Sequence, residues 1–242
     1  YFGSFYYHSL FVTIEGFGDF DGDGGVDIIM RNRLNGDIGI LKYTHENLTP
    51  LIHKKVGTWF GSWKWDWDDT IQAVGKINNN KKADIVVTNS NGIGILTWDN
   101  NSSLTSLSVK PNGTRFGSWN FNSLNDTIVG IGNFDGVQKG EIVITSGWGM
   151  GILKYTDNNL TSILMHQNGK KLGSSWSLNT TTDKISSIID LNGDGCRDLL
   201  VSGPEGMTIV TLFGNSLITL ADRYFEKAWY ERTSILKGFW DL

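Results

Sequence analysis

The sequence contains little cysteine and little proline. Among 242 residues there is one cysteine, Cys196, and there are three prolines. A single cysteine cannot form an intrachain disulfide, so the cysteine pattern does not tell whether the chain is secreted. The 30 glycines, with many asparagines, serines and threonines, are typical of short strands joined by tight turns. We therefore expect an all-β chain.

Long hydrophobic runs and an excess of charge of one sign are also missing. No apolar run approaches the ~20 residues of a membrane-spanning helix. The formal net charge is -4 at pH 7 and the basic residues are dispersed, which argues against a nucleic-acid footprint. We expect no membrane span in this chain and no nucleic-acid partner. The length allows one large β domain or two small ones.

Two stretches, residues 19–27 and 190–198, place acidic or amide side chains at loop positions 1, 3, 5 and 9. Calcium takes about six to eight oxygen ligands, and a chain that coils round the ion presents alternate side chains to it. Position 7 would donate a backbone carbonyl. The pattern therefore predicts two structural Ca²⁺ sites, whose ligands are Asp19, Asp21, Asp23, Gly25 and Asp27 in one loop and Asp190, Asn192, Asp194, Cys196 and Asp198 in the other. The alternative is an Asp/Gly-rich turn without metal.

These loops are unlike an EF-hand, because position 12 is Met30 or Val201 instead of glutamate. They also belong to a repeat. Position 9 recurs at intervals of 57 residues, as Asp27, Asp84, Glu141 and Asp198. Two further landmarks recur in the same order, a Gly-Ile-Leu strand (residues 39–41, 94–96 and 151–153) and a Phe-Gly-Ser-aromatic motif (residues 2–5, 60–63, 116–119 and, more loosely, 172–176).

Each repeat is predicted to form four short strands. In the second repeat these are residues 70–77, 84–88, 92–98 and 104–109. Repeats of this length with four strands are typical of a β-propeller blade. We predict repeats at about 1–58, 59–114, 115–171 and 172–224, with a partial fifth at 225–242. Residues 221–232 have the only helix-friendly composition. They form a short helix or, as we favour, residues 225–229 are a divergent form of the aromatic landmark.

The other two loops lack the full ligand pattern. Repeat 2 has Lys76, Asn78, Asn80, Lys82 and Asp84 at positions 1, 3, 5, 7 and 9, and a lysine at position 1 can replace a cation. Repeat 3 has Asn133, Asp135, Val137, Lys139 and Glu141, so the oxygen at position 5 is lost. We expect two loops with metal and two without.

The stretch Gly-Phe-Gly-Asp-Phe-Asp-Gly-Asp-Gly at residues 16–24, followed by Asp-Ile-Ile at 27–29, resembles the FG-GAP or VCBS-type repeat of integrin α propellers and many secreted proteins. The resemblance covers nearly the whole chain. It implies a seven-bladed propeller, larger than this segment, with calcium in the hairpin loop between the first and second strands of certain blades. It also implies a cell-surface or secreted location.

A subset of such repeats, with Gly-x-Trp in each blade, is similar to seven-bladed fungal and bacterial lectins, in which sugars lie between blades. The matching residues are Trp63, Trp119 and Trp176, with Phe5 in the first repeat. The alternative is that these rings pack blade against blade. The stretch Lys-Trp-Asp-Trp-Asp-Asp at residues 64–69 departs from the repeat, so Trp65 and Trp67 form either a sugar-binding lip or an exposed loop.

Catalysis has no clear motif. The histidines (His8, His45, His53 and His166) share no repeat position, and ten of the 25 acidic residues belong to the loops. We therefore expect no enzymatic activity, and predict a calcium-binding extracellular recognition or adhesion module with glycans or glycoproteins as favoured partners. The alternatives are a structural or protein-binding propeller without sugar binding, and a non-catalytic module of a secreted enzyme or toxin.

Overall fold

The structure is a computed structural model that describes residues 10–44, 46–99, 103–137, 139–173 and 176–224. These residues form strands and turns, with no helix among them. The landmark at residues 2–5, His8, His45 and the partial fifth repeat at 225–242 lie outside the described residues.

Four groups of long strands follow one another along the chain, separated by three short hairpins. The strands are β1 (Val12–Gly18), β2 (Asp27–Asn32), β3 (Ile38–Thr44), β4 (Asn47–Lys54), β5 (Trp59–Phe60), β6 (Trp63–Lys64), β7 (Thr70–Gly75), β8 (Asp84–Asn89), β9 (Gly92–Trp98), β10 (Leu104–Pro111), β11 (Arg115–Phe116), β12 (Trp119–Asn120), β13 (Thr127–Gly132), β14 (Glu141–Ser146), β15 (Gly149–Thr156), β16 (Asn159–Gln167), β17 (Lys171–Leu172), β18 (Trp176–Ser177), β19 (Lys184–Ile189), β20 (Asp198–Gly203), β21 (Gly206–Phe213) and β22 (Ser216–Tyr224).

Each group of long strands is one antiparallel sheet in which neighbours in sequence are neighbours in space. We call the sheets blade 1 (β1–β4), blade 2 (β7–β10), blade 3 (β13–β16) and blade 4 (β19–β22). All four first strands carry a register shift at the same place, after Ile14, Ile71, Ile128 and Ile185. The blades are therefore copies of one unit, down to an irregularity.

Successive blades meet through their first strands, since β1 contacts β7, β7 contacts β13, and β13 contacts β19. Glycines on one strand accept β-branched side chains from the next. A Cβ atom on Gly16 would lie 2.6 Å from Val74 Cγ2, and one on Gly132 would lie 2.6 Å from Ile188 Cγ2. First strands in contact, with each sheet running outward from them, are the arrangement of a β-propeller.

Three of the four hydrophobic clusters among the described residues lie between blades, and the fourth, of Val12, Met30 and Leu41, lies within blade 1. One cluster joins Ile29 and Ile40 of blade 1 to Ile85 and Leu96 of blade 2, and two further clusters join blades 2 and 3 and blades 3 and 4. Aromatic side chains of the hairpins, such as Phe60, are buried in these clusters. Each hairpin therefore contributes to the packing of two blades.

The all-β, four-stranded repeat predicted from the sequence is confirmed, and the four predicted strands of repeat 2 agree with β7–β10 to within two residues at each end. The hairpins β5–β6, β11–β12 and β17–β18 were not predicted. A helix beginning at residue 221 is wrong as far as Tyr224, because these residues belong to β22. The predicted total of seven blades stays a prediction.

Candidate functional site

The acidic loop of blade 1 connects β1 to β2 and is organised by its own backbone amides. We call it loop 1 (residues 19–26), and its counterparts loop 2 (76–83), loop 3 (133–140) and loop 4 (190–197). The two carboxylate oxygens of Asp19 accept from the N–H groups of Gly22 and Gly24, at 2.7 and 3.0 Å. Both glycines have positive φ, 83° and 92°, a conformation that favours glycine.

Loop 4 repeats this scaffold. Asp190 accepts from the N–H groups of Gly193 and Gly195 at 2.7 and 2.9 Å. Asp194 Oδ1 accepts from the N–H of Cys196 at 2.8 Å, which is the largest cause that lowers the pKa of this carboxyl. Burial, followed by the nearby aspartates, raises the pKa of the Cys196 thiol.

The residue at position 9 is a fully buried acid in every blade: Asp27, Asp84, Glu141 and Asp198. One oxygen of each accepts from the backbone N–H seven residues earlier, at 2.8 to 2.9 Å. The second oxygen has no hydrogen-bond partner in three of the four: Asp27 Oδ1, Glu141 Oε1 and Asp198 Oδ1. Burial raises the pKa of Asp27, Asp84 and Glu141, the last to about 6.

Loop 2 provides the contrast. There Asp84 Oδ1 accepts from Nδ2 of Asn78 at 3.0 Å. The ammonium group of Lys76 forms no ion pair with any described residue. Only the backbone of Lys76 has a partner here, since its carbonyl accepts from the N–H of Gly140. A side-chain amide, and not the predicted lysine, therefore replaces a cation in loop 2.

Two lysines from third strands reach into loops 1 and 3. Lys42 of β3 places Nζ 2.5 Å from Oδ2 of Asp21 and 2.5 Å from Oδ2 of Asp23, and it is the largest cause that lowers the pKa of Asp23. Lys154 of β15 pairs with Asp135 and lies 3.9 Å from Glu141 Oε1. Neither lysine was identified from the sequence, although both stand at one repeat position.

The donor set of loop 1 fits a hard divalent cation. Ligand atoms of Asp19, Asp21 and Asp27 all lie within 4.8 Å of one another. Asp27 also has a buried oxygen, Oδ1, without a hydrogen-bond partner, and a buried carboxylate oxygen without a donor is the kind of group that a cation stabilises. In loop 4 the second of these positions is Asn192, an amide oxygen in place of a carboxylate.

The three described tryptophans of the aromatic landmark are buried. Trp63, Trp119 and Trp176 expose at most 4% of their surface. Each donates its indole N–H to an aspartate in the following loop, Asp69, Asp126 or Asp183, at 2.9 to 3.0 Å. These rings offer no free face to a ligand, so their placement favours blade packing, the alternative weighed from the sequence.

The backbone conformation and the close packing of the hairpin explain why the aromatic landmark contains a glycine, as Gly61 shows. Gly61 has a φ of 61°, and a Cβ atom there would lie 2.5 Å from Ser106 Oγ on the outer strand β10. The N–H of Ser62 donates to the same Ser106 Oγ at 2.8 Å. The hairpin is thereby docked on the blade, which brings Trp63 over Gly94 of β9.

Trp65 and Trp67 separate in the structure. Trp65 is fully buried, donates its indole N–H to the carbonyl of Gly36 at 2.8 Å, and has the guanidinium of Arg31 over its ring. Trp67 is 54% exposed and lines a cleft of about 350 Å³ between blades 1 and 2, together with Glu15, Arg31, Arg33, Gly36 and Thr70.

A larger cleft, of about 640 Å³, lies beside Trp148, between the loop that precedes β13 and the β14–β15 turn. We call it the Trp148 cleft. Its lining residues are Asn120, Asn122, Leu124, Asn125, Asp126, Ser146, Gly147 and Trp148. Trp148 is 39% exposed and rests on the buried ring of Trp119, with centroids 4.4 Å apart. Trp148 could have been noticed in the sequence because it departs from the repeat. The equivalent turn residues of blades 2 and 4 are Asn91 and Glu205, which are not aromatic.

The described histidines make separate contacts. His53 Nε2 lies 2.8 Å from Asp37 Oδ2, and His166 Nε2 lies 3.0 Å from the carbonyl of Lys170. No helix within the described ranges is long and apolar enough to cross a membrane.

No protein-family model and no curated protein matches this sequence. Among solved structures, a lectin of Agrocybe aegerita that recognises non-reducing terminal N-acetylglucosamine is 19% identical, with a TM-score of 0.53 over 86% of this chain and 50% of the lectin. A rhamnogalacturonan lyase is 13% identical, with a TM-score of 0.46 over 89% of this chain and 51% of the lyase. The chain spans about half the length of each. The likeness to the lectin is one of fold, and it agrees with the β-propeller blades described above.

Proposed function

We propose that this chain is part of a lectin-like, FG-GAP-type β-propeller that recognises glycans in a calcium-rich environment outside the cell. The observation that carries the proposal is the Trp148 cleft. It places the partly exposed indole of Trp148 in the same cleft as Asn120, Asn122 and Asn125. Sugars present apolar C–H faces that stack on aromatic rings and hydroxyls that pair with amides and carboxylates.

The support of Trp148 by Trp119 favours a preorganised surface. Trp119 is buried and fixed by its bond to Asp126 Oδ2 at 2.9 Å. A ring held in place loses little conformational freedom when a ligand stacks on it, so the ligand gains affinity. The lectin with the same fold recognises non-reducing terminal N-acetylglucosamine, which makes this sugar the first probe.

The test is a glycan array of the purified protein, followed by titration with N-acetylglucosamine and with any glycan that the array identifies. Trp148→Ala is expected to lower affinity by up to about tenfold, because an aromatic stacking contact of about 0.5–1.5 kcal/mol is removed. Trp59→Ala is the matched control, since Trp59 is 63% exposed and lines neither cleft. A folded protein that binds no glycan, or a Trp148→Ala variant that binds as wild type does, contradicts the proposal.

Calcium is proposed as a structural ion of loops 1 and 4. The support is the orphaned, buried oxygens of Asp27 and Asp198 and the alternate acids that precede them. Each site would fasten the hairpin between the first and second strands, so that its binding free energy adds to folding. Extracellular calcium modules bind with dissociation constants of about 10⁻⁴–10⁻³ M, which accords with a location outside the cell.

The test for calcium is thermal unfolding with calcium and with EDTA. Chelation is expected to lower the Tm of the wild type, and Asp194→Ala is expected to lower the Tm in calcium and to reduce the effect of EDTA. An identical Tm in calcium and EDTA at equal ionic strength contradicts the calcium proposal, and leaves the glycan proposal to its own experiment.

A further inference from the structure

One position of the third strand faces the buried acid of every loop. In blade 4, Thr211 pairs directly with Asp198 across β20 and β21. In the other blades the equivalent residue is the next one along the third strand after the last paired residues, which are Ile28–Leu41, Ile85–Leu96 and Ile142–Leu153. We call it the facing position, and it is occupied by Lys42, Thr97, Lys154 and Thr211 in blades 1 to 4.

Where the facing residue is lysine, its ammonium bridges the loop acids. Lys42 Nζ contacts Oδ2 of both Asp21 and Asp23. The Oδ1 atoms of the same two aspartates accept from backbone N–H groups of the loop. Lys154 makes the same kind of contact with Asp135 and approaches the buried Glu141. A positive charge held between carboxylates does electrostatically what a bound cation does.

Where the facing residue is threonine, the buried acid has different partners in the two loops. In loop 2, Thr97 Oγ1 accepts from the amides of Asn78 and Asn80 at 3.2 and 2.9 Å, and Asn78 also satisfies Asp84. Loop 2 therefore holds one carboxylate, fully hydrogen-bonded, and has no need of a cation.

Loop 4 combines threonine with acids at positions 1, 5 and 9. Its carboxylates are Asp190, Asp194 and Asp198, and no described lysine or arginine forms an ion pair with them. Asp198 is completely buried and its Oδ1 has no hydrogen-bond partner. Loop 4 therefore has three nearby carboxylates and one buried carboxylate oxygen without a hydrogen bond. None of the described lysines or arginines neutralises these negative charges.

We propose that the facing residue sets the calcium dependence of each loop: lysine acts as a tethered counter-ion that competes with the metal, and threonine leaves an acidic loop dependent on it. This inference rests on the proposed role of loops 1 and 4 as calcium sites. Loop 4 then binds calcium most tightly, loop 1 binds it more weakly because Lys42 has to be displaced, and loops 2 and 3 are complete without metal.

The experiment exchanges the facing residues of loops 1 and 4. Calcium is titrated calorimetrically into the wild type, Lys42→Thr and Thr211→Lys, and the Tm of each is measured with calcium and with EDTA. The wild type is expected to show two sites of unequal affinity. Lys42→Thr tightens the weaker site by about tenfold, since two charge-assisted hydrogen bonds no longer compete with the metal. Thr211→Lys weakens the stronger site and reduces the EDTA effect on Tm.

The control is Lys54→Thr, which removes the same charge from β4 of the same blade, where Lys54 forms no hydrogen bond or ion pair with the described residues of loop 1. It should bind calcium as the wild type does. If Thr211→Lys does not fold, the comparison of Lys42→Thr with Lys54→Thr decides the matter alone. Unchanged calcium affinity in Lys42→Thr overturns this inference. A wild type that binds no calcium and is indifferent to EDTA overturns the calcium proposal itself.

Discussion

At the scale of single residues, the buried acids at position 9 share one hydrogen bond to the backbone but differ in the partner of their second carboxylate oxygen. All four acids receive the same backbone N–H bond, and this bond fixes the start of the second strand. Their other oxygen meets an amide in loop 2, a distant ammonium in loop 3 and no donor in loops 1 and 4. A carboxylate withdrawn from water is costly unless it is paired, so the neighbours of the second oxygen determine the stability of each loop.

Glu141 gives a pH dependence that can be measured. Burial raises its pKa from the ordinary 4.5 to about 6. An acid with a raised folded-state pKa favours folding when protonated, so the stability it contributes is present below pH 4.5 and is lost as the pH rises through 6. After allowance for solvent screening, the loss is on the order of 1 kcal/mol. Glu141→Gln keeps an acceptor for the N–H of Phe134 and removes the charge.

The measurement is urea unfolding at several pH values between 4 and 7, in EDTA, for the wild type and Glu141→Gln. Because the other acids are common to both proteins, the difference between the two stability curves isolates Glu141. The variant is expected to gain stability relative to the wild type as the pH rises through this window. Parallel curves would show that Glu141 titrates normally.

At the scale of elements, the short hairpin between blades is the part of the fold that could not be predicted from the sequence. Its strands have two residues each, too few for an alternating pattern to be recognised. The landmark Gly-Ser-Trp was visible because it recurs, but its partner aspartates, Asp69, Asp126 and Asp183, were not, although they too recur every 57 residues. Burial of the tryptophans and their bonds to these aspartates required the three-dimensional structure.

The hairpin anchor can be tested at Asp126, which accepts from the indole of Trp119 and from the N–H of Asn122, both at 2.9 Å. Asp126→Ala leaves a buried indole N–H without a partner and is expected to cost about 1–3 kcal/mol. Asp126→Asn retains an acceptor oxygen for both donors and should cost clearly less. Denaturant unfolding without ligand measures both. Equal losses in the two variants would indicate that the carboxylate charge, and not the hydrogen bond, matters.

The blades themselves could be predicted because three signals agreed. Apolar strands, turn residues and a constant 57-residue interval all indicate the same four-stranded unit, and short-range patterns of this kind are encoded locally. The lysines Lys42 and Lys154 show the opposite case. Their role depends on the register between the second and third strands, which places them opposite the loop acids. A sequence pattern does not give that register unless the pairing is already known.

At the scale of the whole molecule, the blades stack through a repeated contact between small and large residues. Val74, Ile131 and Ile188 of successive first strands pack against glycines of the blade before. The equivalent residue of blade 1 is Phe17, which is 58% exposed. The same surface is covered at the other three junctions, and the prediction of further blades stays a prediction.

This stacking predicts that the glycines at the blade junctions cannot be enlarged. A Cβ atom on Gly132 would lie 2.6 Å from Ile188 Cγ2 and 3.0 Å from Arg197 Cβ, so both neighbours would have to move. Gly132→Val is therefore expected to destabilise the chain by about 1–3 kcal/mol, the usual cost of overpacking. Gly147 is the matched control, because its φ is not positive and a Cβ atom there has no neighbour within 4 Å.

The measurement compares Gly132→Val and Gly147→Val by denaturant unfolding, with limited proteolysis to locate where the chain opens. If blades 3 and 4 are held together by this contact, Gly132→Val lowers the unfolding midpoint and exposes cleavage sites between them, whereas Gly147→Val leaves the midpoint nearly unchanged. An equal effect of both substitutions would mean that replacing glycine by valine is destabilising whether or not the glycine lies at a blade junction. The first-strand contacts would then contribute little to holding the blades in their order.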